Sequence, residues 1–277
     1  MVDSDIGPVP ALEVRGVSKR YPGWRRDLAE VRVLGEVSLQ VAESEFFVLV
    51  GPSGCGKSTL LRLIAGLDTP SGGEVHLAGD RVVKTSPEAI VVWQEFALLD
   101  WRTVEGNILF GLEVNRISKS RRLELADHYI ELMGLTPFRH NFPSEISGGM
   151  KQRVGLARAL ALDPPLLLMD EPFGALDAQT RMIMQEELLR IWEGSEKTVL
   201  FVTHSLEEAI LLGDRIGVFS AGPDARIKEI VDVNLPRPRL PTVRASADYT
   251  RVYDRLYQIL REEVVKTISR EATSGRP

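Results

Sequence analysis

Cysteine is almost absent: the 277-residue chain holds one, Cys55. A single thiol excludes an intrachain disulfide and fits a reducing compartment. Long apolar runs are missing too, and none approaches the ~20 residues of a membrane span. There is no surplus of positive charge. Lys and Arg number 34 against 39 Asp and Glu, a net charge of −5, so no global basic field advertises nucleic acid. The first residues, Met1-Val-Asp-Ser-Asp-Ile-Gly-Pro8, show neither the basic nor the apolar stretch of a secretory signal. Repeats and low-complexity tracts are also lacking. By these criteria the protein is expected to be cytoplasmic. The remainder is an ordinary mix, 44% hydrophobic and 26% charged, able to bury a substantial core as one large domain or two.

Against this plain background stands Gly51-Pro52-Ser53-Gly54-Cys55-Gly56-Lys57-Ser58, which fits G-x-x-x-x-G-K-[ST] in full. An apolar run, Phe46-Phe-Val-Leu-Val50, precedes it, and a helical stretch from Lys57 through Thr59 follows. Buried strand, glycine turn and helix start are the setting of a phosphate-binding loop. The glycines let successive N–H groups converge on one anion, and the helix adds its positive end. Lys57 is placed to reach the β- and γ-phosphates, and the Ser58 hydroxyl to ligate Mg²⁺. A nucleoside triphosphate is the expected ligand. Cys55, near Lys57 and a helix start, has surroundings that favour a thiolate, although a small filler residue is the plainer reading.

Residues 11–50 read as short strands: Leu12 to Arg15, Val31 to Leu34 and Val37 to Val41 alternate apolar with polar. Further strands are expected at Gly73 to Gly79, Ala89 to Trp93, Leu166 to Met169 and Thr198 to Val202. Between Thr103 and Leu162 the pattern is helical, with Leu123, Ala126, Ile130 and Met133 on one face. The alternation predicts βαβ units and a mostly parallel sheet carrying a helical insertion. After Val233, Leu235-Pro-Arg-Pro-Arg-Leu-Pro241 reads as an extended connector. A tail helix follows from an N-cap at Ser246, with Tyr249, Val252, Tyr253, Leu256, Leu260 and Val264 as its stripe. The preferred reading packs that stripe on its own domain; the alternative is a partner surface.

Two more features carry chemistry. Asp170 and Glu171 follow the buried run Leu166 to Met169, where one carboxylate can hold Mg²⁺ and the next can polarise an attacking water. Ser147-Gly148-Gly149 opens a long helix, and its free amides suit a second contact to an anion.

Taken in order, the phosphate loop, Ser147-Gly-Gly-Met-Lys-Gln152, Leu168-Met-Asp-Glu-Pro172, Gly174-Ala-Leu-Asp177 and Thr203-His204 resemble the ATPase subunits of ATP-binding-cassette (ABC) transporters. The resemblance spans about residues 11–235, with a helical subdomain near 95–162, and leaves 236–277 as connector and tail. It implies a P-loop NTPase core with a mixed, mainly parallel sheet, an antiparallel β subdomain and a helical insertion. It also implies a head-to-tail homodimer that sandwiches ATP. In that arrangement Ser147, Gly148 and Gly149 touch the γ-phosphate of the partner's ATP, and Asp177 acts across the dimer. The resemblance further makes Gln94 a metal- and water-sensing residue that links the site to a membrane partner. It makes His204 the holder of the γ-phosphate and Tyr21 the ring stacked on adenine.

Ile146, Ser44 and Asp100 depart from the family's usual leucine, glycine and proline. The first is a packing change, the second alters a turn, and the third falls on the contact with the membrane subunit. The stretch Trp93 to Asn107, with Leu235-Pro-Arg-Pro-Arg239 and the short tail, resembles the nitrate, sulfonate and taurine importer branch. Permease subunits, and through them a solute-binding protein, are the implied partners, with the chain peripheral on the inner face of the membrane. A soluble ABC ATPase of translation or DNA repair is the competing reading. Such proteins usually carry two cassettes or a long coiled coil, and neither is present. A P-loop kinase or GTPase would leave Ser147-Gly-Gly and His204 without purpose.

Overall fold

The structure is a computed structural model and describes residues 9–23, 30–95, 97–174, 176–239 and 241–274. The leader reading at residues 1–8, Phe96 in the branch stretch and Ala175 in the Gly174–Asp177 motif lie outside the described residues.

Two sheets form the frame. Strands β1 (Leu12–Tyr21), β2 (Val31–Val41), β4 (Gly72–Leu77) and β5 (Asp80–Arg81) make an antiparallel sheet in the order β2-β1-β4-β5. The other sheet holds β3 (Phe46–Val50), β6 (Ala89–Val92), β7 (Leu166–Asp170), β8 (Thr198–Val202), β9 (Arg215–Phe219) and β10 (Ile227–Asp232). Its order is β10-β9-β3-β8-β7-β6, and every pairing is parallel except β9 with β10.

The continuous apolar runs of β3, β7 and β8 follow from burial on both faces. Side chains alternate across a strand. Phe46, Val48 and Val50 face one core, shared with the helices, while Phe47 and Leu49 face a second, shared with β1 and β2. Helix α1 (Lys57–Ile64) belongs to the second core through Leu60, Leu61, Leu63 and Ile64. On the other face lie α2 (Val104–Val114), α3 (Lys119–Leu132), α4 (Gly148–Ala161), α5 (Ala178–Glu193) and α6 (Leu206–Leu212).

The structure corrects several element-level expectations. Val31 to Leu34 and Val37 to Val41 are one strand, not two, and its pairing with β1 shifts register between Val17 and Lys19. Gly35 marks the irregularity rather than a turn, because a Cβ there would stand 2.7 Å from the Asp224 carbonyl oxygen. Ser44, where glycine is usual, takes a left-handed φ of 58°. Its N–H donates to Thr198 Oγ1 at 3.1 Å and its hydroxyl to the Glu196 carbonyl at 3.1 Å, so the turn is held by bonds that glycine could not all make. On α3, Ala126, Ile130 and Met133 are buried but Leu123 is 40% exposed. At 100° per residue the buried face is centred toward Tyr129, which leaves Leu123 on its rim.

Helix α7 (Ala247–Ser274) lies against α6 and β9. Tyr249, Leu256 and Ile259 are buried, whereas Val264 is 38% exposed. One turn past Ile259 the buried position is a charge, Glu263, only 2% exposed. Burial pushes its carboxyl up, but Lys266, the Ala221 N–H and Lys228 outweigh that and hold it at about 2. A carboxyl depressed in the folded state stabilises fully above its ordinary value and loses that contribution as pH falls through the depressed one. From the ordinary 4.5 to about 2, the contribution is roughly 3 kcal/mol. In urea unfolding, Glu263→Gln is therefore expected to fall short of the unmodified chain by that amount near pH 7, with the gap closing between about pH 5 and pH 2.

The proline-rich connector is clamped rather than free. Arg237 donates to Asp214 Oδ1 at 2.7 and 3.0 Å and to the Leu212 carbonyl at 2.7 Å, and its guanidinium lies 4.3 Å from the Trp192 ring centre. Arg239 is 4% exposed and donates to the carbonyls of Ile210, at 3.1 Å, and Val233, at 3.0 Å. It thus closes the C-terminal end of α6. Burial, then the neighbouring Arg237, lower it to about 10 against the pull of Asp214. Replacing Arg239 with Ala strands buried carbonyls and is expected to cost about 3 kcal/mol, read as a lower urea midpoint.

Candidate nucleotide-binding site

Strand order builds the site. Strands β3, β8, β7 and β6 are neighbours running the same way, so the loops after them open at one edge of the sheet. The residues that follow are, in that order, the Gly51 loop, Thr203 and His204, Asp170 with Glu171, and Gln94 just beyond β6. The carboxyl ends of such strands are where open α/β sheets bind ligands.

The Gly51–Ser58 loop turns through Gly54 at φ 73° and Gly56 at φ 101°, a region side chains avoid. Gly56 has a second reason to be glycine: a Cβ would lie 2.7 Å from Leu34 Cδ2. Lys57 is 5% exposed and folds back over the loop, donating to the carbonyls of Gly51 at 2.8 Å and Pro52 at 3.0 Å. Its ammonium is thereby satisfied by the loop's own carbonyls. Cys55 is 2% exposed, and burial pushes its thiol up despite the pull of Lys57. That desolvation outweighs the neighbours that favour a thiolate, and Cys55 is the small filler residue of the plainer reading. Ser53, Gly54 and the end of the loop stay open to solvent.

Ser58 Oγ donates to Asp170 Oδ1 at 3.0 Å. Burial, then the Glu171 charge, push the Asp170 carboxyl up against the Ser58 bond. A 7% exposed carboxylate with a single hydroxyl donor is short of positive charge. Among the described residues, no three His, Cys, Asp or Glu gather as a cage. Two hard oxygen donors therefore fit a cation that draws its other ligands from phosphate and water.

Glu171 stands at φ 45°, uncommon for a side-chain-bearing residue, and such outliers cost about 1 kcal/mol or more and cluster at working sites. Its N–H donates to the Val202 carbonyl at 2.9 Å, and Oε2 lies 3.1 Å from His204 Nδ1. Gly174 keeps the space beside it clear: a Cβ there would be 3.4 Å from Gln94 Nε2 and 3.8 Å from Glu171 Oε2. The structure thus brings Gln94, Glu171 and His204 together.

Tyr21, at the end of β1, donates its hydroxyl to Asp68 Oδ2 at 2.7 Å, with Lys19 Nζ 4.7 Å from its ring centre. Burial, then Asp68, push the phenol up, opposed by Arg62 and Thr59 of α1. The ring is therefore fixed beside α1. By contrast, Ser147, Gly148 and Gly149 do not join this cluster. Ser147 Oγ accepts from the Met150 N–H at 3.3 Å, a Cβ on Gly148 would meet nothing within 4 Å, and one on Gly149 would meet Thr180 of α5 at 3.0 Å. Asp177 caps α5, accepting from the N–H groups of Gln179 at 3.1 Å and Thr180 at 3.0 Å. These groups form a separate surface beside α5.

Sequence reasoning missed the buried support of the His204 turn. Thr203 Oγ1 donates to Glu208 Oε2 at 2.5 Å, Gln185 Nε2 donates to Glu208 Oε1 at 3.0 Å, and the Ser205 N–H donates to Thr203 Oγ1 at 3.0 Å. The signal was there in Ser205-Leu-Glu-Glu208, the spacing of a capping box. Asp68, 47 residues from Tyr21, left no local signature.

Comparison with known proteins accords with this geometry. The sequence profile of the family described as ABC transporter matches residues 34–174. An uncharacterised ABC transporter ATP-binding protein of Methanocaldococcus jannaschii is 50% identical over 238 residues, 86% of this chain and 88% of that protein. The nitrate import ATP-binding protein NrtD of Synechococcus elongatus is 43% identical over 225 residues, 80% of this chain and 81% of that one. A dimeric ATP-binding cassette solved in a post-hydrolysis state with ADP and Pi superposes with a TM-score of 0.71 at 30% identity, covering 81% of this chain and all of that one.

Proposed function

This chain belongs to the ABC transporter family, and on that premise we propose that it is the ATP-hydrolysing subunit of an importer for nitrate, sulfonate, taurine or a similar small solute. The observation that carries the reading is the row formed by the phosphate loop, His204, Glu171 and Gln94 at one sheet edge. The ATPase domain comprises residues 11–235, with the helical subdomain about 95–162 inserted and 236–277 as connector and tail.

Within the site, loop amides and Lys57 take the β- and γ-phosphates. Ser58, Asp170 and Gln94 are the oxygen-bearing residues that would hold Mg²⁺, which when bound neutralises the developing charge on phosphate. Glu171 accepts a proton from the attacking water, and His204 holds its carboxylate in place until the γ-phosphate arrives. Tyr21 offers a ring face to adenine. Ser147 and Gly148, exposed to solvent, and the half-buried Gly149 complete the ATP site of a second copy, with Asp177 beside them. Hydrolysis then removes the anion joining the two halves.

The surface near Gln94 supports docking of the membrane partner. A cleft of about 560 Å³ runs between Gln94, Asp100, Pro143 and Lys151. Trp101, next in sequence to Asp100, is 75% exposed. Among the described residues no helix is long and apolar enough to cross a membrane. The likeness to a nitrate import ATP-binding protein supports a separate permease, with this chain on the inner face of the membrane. Co-purification tests the assignment. Membrane extraction is expected to recover the chain with a hydrophobic subunit; recovery with ribosomes or nucleic acid would support the translation or repair reading instead.

A further inference from the structure

The turn joining β9 to β10, Ser220 to Ala225, touches the phosphate loop on one side and α7 on the other. On the loop side, a Cβ at Gly51 would stand 2.7 Å from Phe219 Cβ, and one at Gly222 would stand 3.9 Å from the Gly54 carbonyl oxygen. The turn also grips β2: the Ala225 N–H donates to the Val33 carbonyl at 3.2 Å, and the Gly35 N–H donates to the Ala225 carbonyl at 2.9 Å. Val33 and Leu34 press in turn on Gly56, where a Cβ would meet them at 2.9 and 2.7 Å. The turn thus backs the phosphate loop at Gly54 and, through β2, at Gly56, while Phe219 at the end of β9 closes on Gly51.

On the helix side the contact is one carboxylate. Glu263 Oε2 accepts from the Ala221 N–H at 2.9 Å, while its other oxygen accepts from Lys228 at 2.9 Å and Lys266 at 2.6 Å. Beyond it Val264, Val265 and Ile268 are exposed, and among the described residues Glu263 is the last buried side chain of the helix.

We propose that Glu263 is a positioning residue for nucleotide binding, holding the Ser220–Ala225 turn through Ala221 so that the turn keeps the Gly51–Gly56 loop in its anion-binding shape. The proposal rests on the reading of that loop as the nucleotide site. Lys57 ties down the Gly51 and Pro52 carbonyls, but Gly54 and Gly56 occupy left-handed backbone regions and carry no side chain, so these two positions have none of their own to hold them. A backing surface supplies that constraint. Without it the loop samples shapes that do not bind, and apparent affinity falls by the fraction lost. The tail helix thereby reaches the nucleotide without touching it.

The test uses the full chain with Glu263→Asp, Glu263→Gln and, as a neighbour control, Glu262→Ala. Glu262 also pairs with Lys228, at 2.5 Å, but is 66% exposed and makes no bond to the turn. The shorter Asp keeps the charge yet cannot span to Ala221, whereas the Gln oxygen still accepts from it. Mg²⁺-ADP affinity by equilibrium dialysis is expected to weaken about tenfold in Glu263→Asp, the scale of one buried charge-assisted bond. The ATP KM should rise in step, with kcat at saturating ATP within about twofold. Amide exchange should quicken at 219–225 and 51–56. Glu262→Ala should bind ADP within about threefold of the unmodified chain, and Glu263→Gln, whose oxygen still reaches Ala221, should lose less affinity than Glu263→Asp. A folded Glu263→Asp that binds ADP as tightly as the unmodified chain overturns the proposal, as does an equal loss in Glu262→Ala. Failure of the unmodified chain to bind ADP would instead strike the nucleotide-site reading itself.

Discussion

Glu171→Gln is expected to lower ATP turnover by about 10²–10⁴-fold while leaving nucleotide affinity within a few-fold, because it removes proton acceptance and keeps shape. The carboxylate sits beside Asp170, opposite Gln94 across the side-chain-free Gly174, on a backbone outlier whose strain is compensated by the Val202 bond. An amide fits the same space and still meets His204, but it cannot take a proton from water. Single-turnover measurement with pre-bound ATP separates the two effects. Turnover within about threefold of the unmodified chain would take Glu171 out of the mechanism and leave the φ of 45° without a chemical reason.

Lys57→Ala is expected to act on the other axis, weakening Mg²⁺-ATP binding by about 100-fold, the scale of two charge-assisted bonds to phosphate. The structure sharpens this expectation. In the described conformation the ammonium is already satisfied by the Gly51 and Pro52 carbonyls, so part of its phosphate energy replaces those bonds. Removing it also frees two buried loop carbonyls, so the variant should show a modestly lower unfolding midpoint as well. Calorimetric titration checks the affinity. Unchanged affinity in a folded variant would mean that the Gly51–Ser58 loop does not hold the triphosphate.

The nucleotide edge was legible in the sequence because its signals are local: apolar strand, glycine turn and helix start at the Gly51 loop, and four apolar residues ahead of Asp170. What escaped has physical reasons. Strand β9 carries Gly217 in its centre, which breaks the β-branched run by which strands are recognised, and a Cβ there would strike Leu49 Cδ2 at 3.0 Å. Strand β10, Ile227-Lys-Glu-Ile-Val-Asp232, lies at the sheet edge with no fully buried residue, so burial left no pattern to read. The buried face of α7 passes through Glu263, a charge that an apolar stripe cannot count, so the stripe runs on to the exposed Val264 instead. Arg237 and Arg239 looked like connector polarity because their carbonyl partners at the end of α6, Leu212 and Ile210, lie more than 20 residues away along the chain. Cys55 shows the converse: two neighbours that favour a thiolate were visible in sequence, and the burial that outweighs them was not.

The account turns on ATP joining two copies of this chain, the phosphate loop of one against Ser147-Gly148-Gly149 of the other. The direct measurement is sedimentation of Glu171→Gln with and without Mg²⁺-ATP. The account predicts a monomer without nucleotide and twice that mass with it, the doubling abolished by Ser147→Arg. A species that stays monomeric at saturating ATP, with nucleotide shown to be bound, would contradict it.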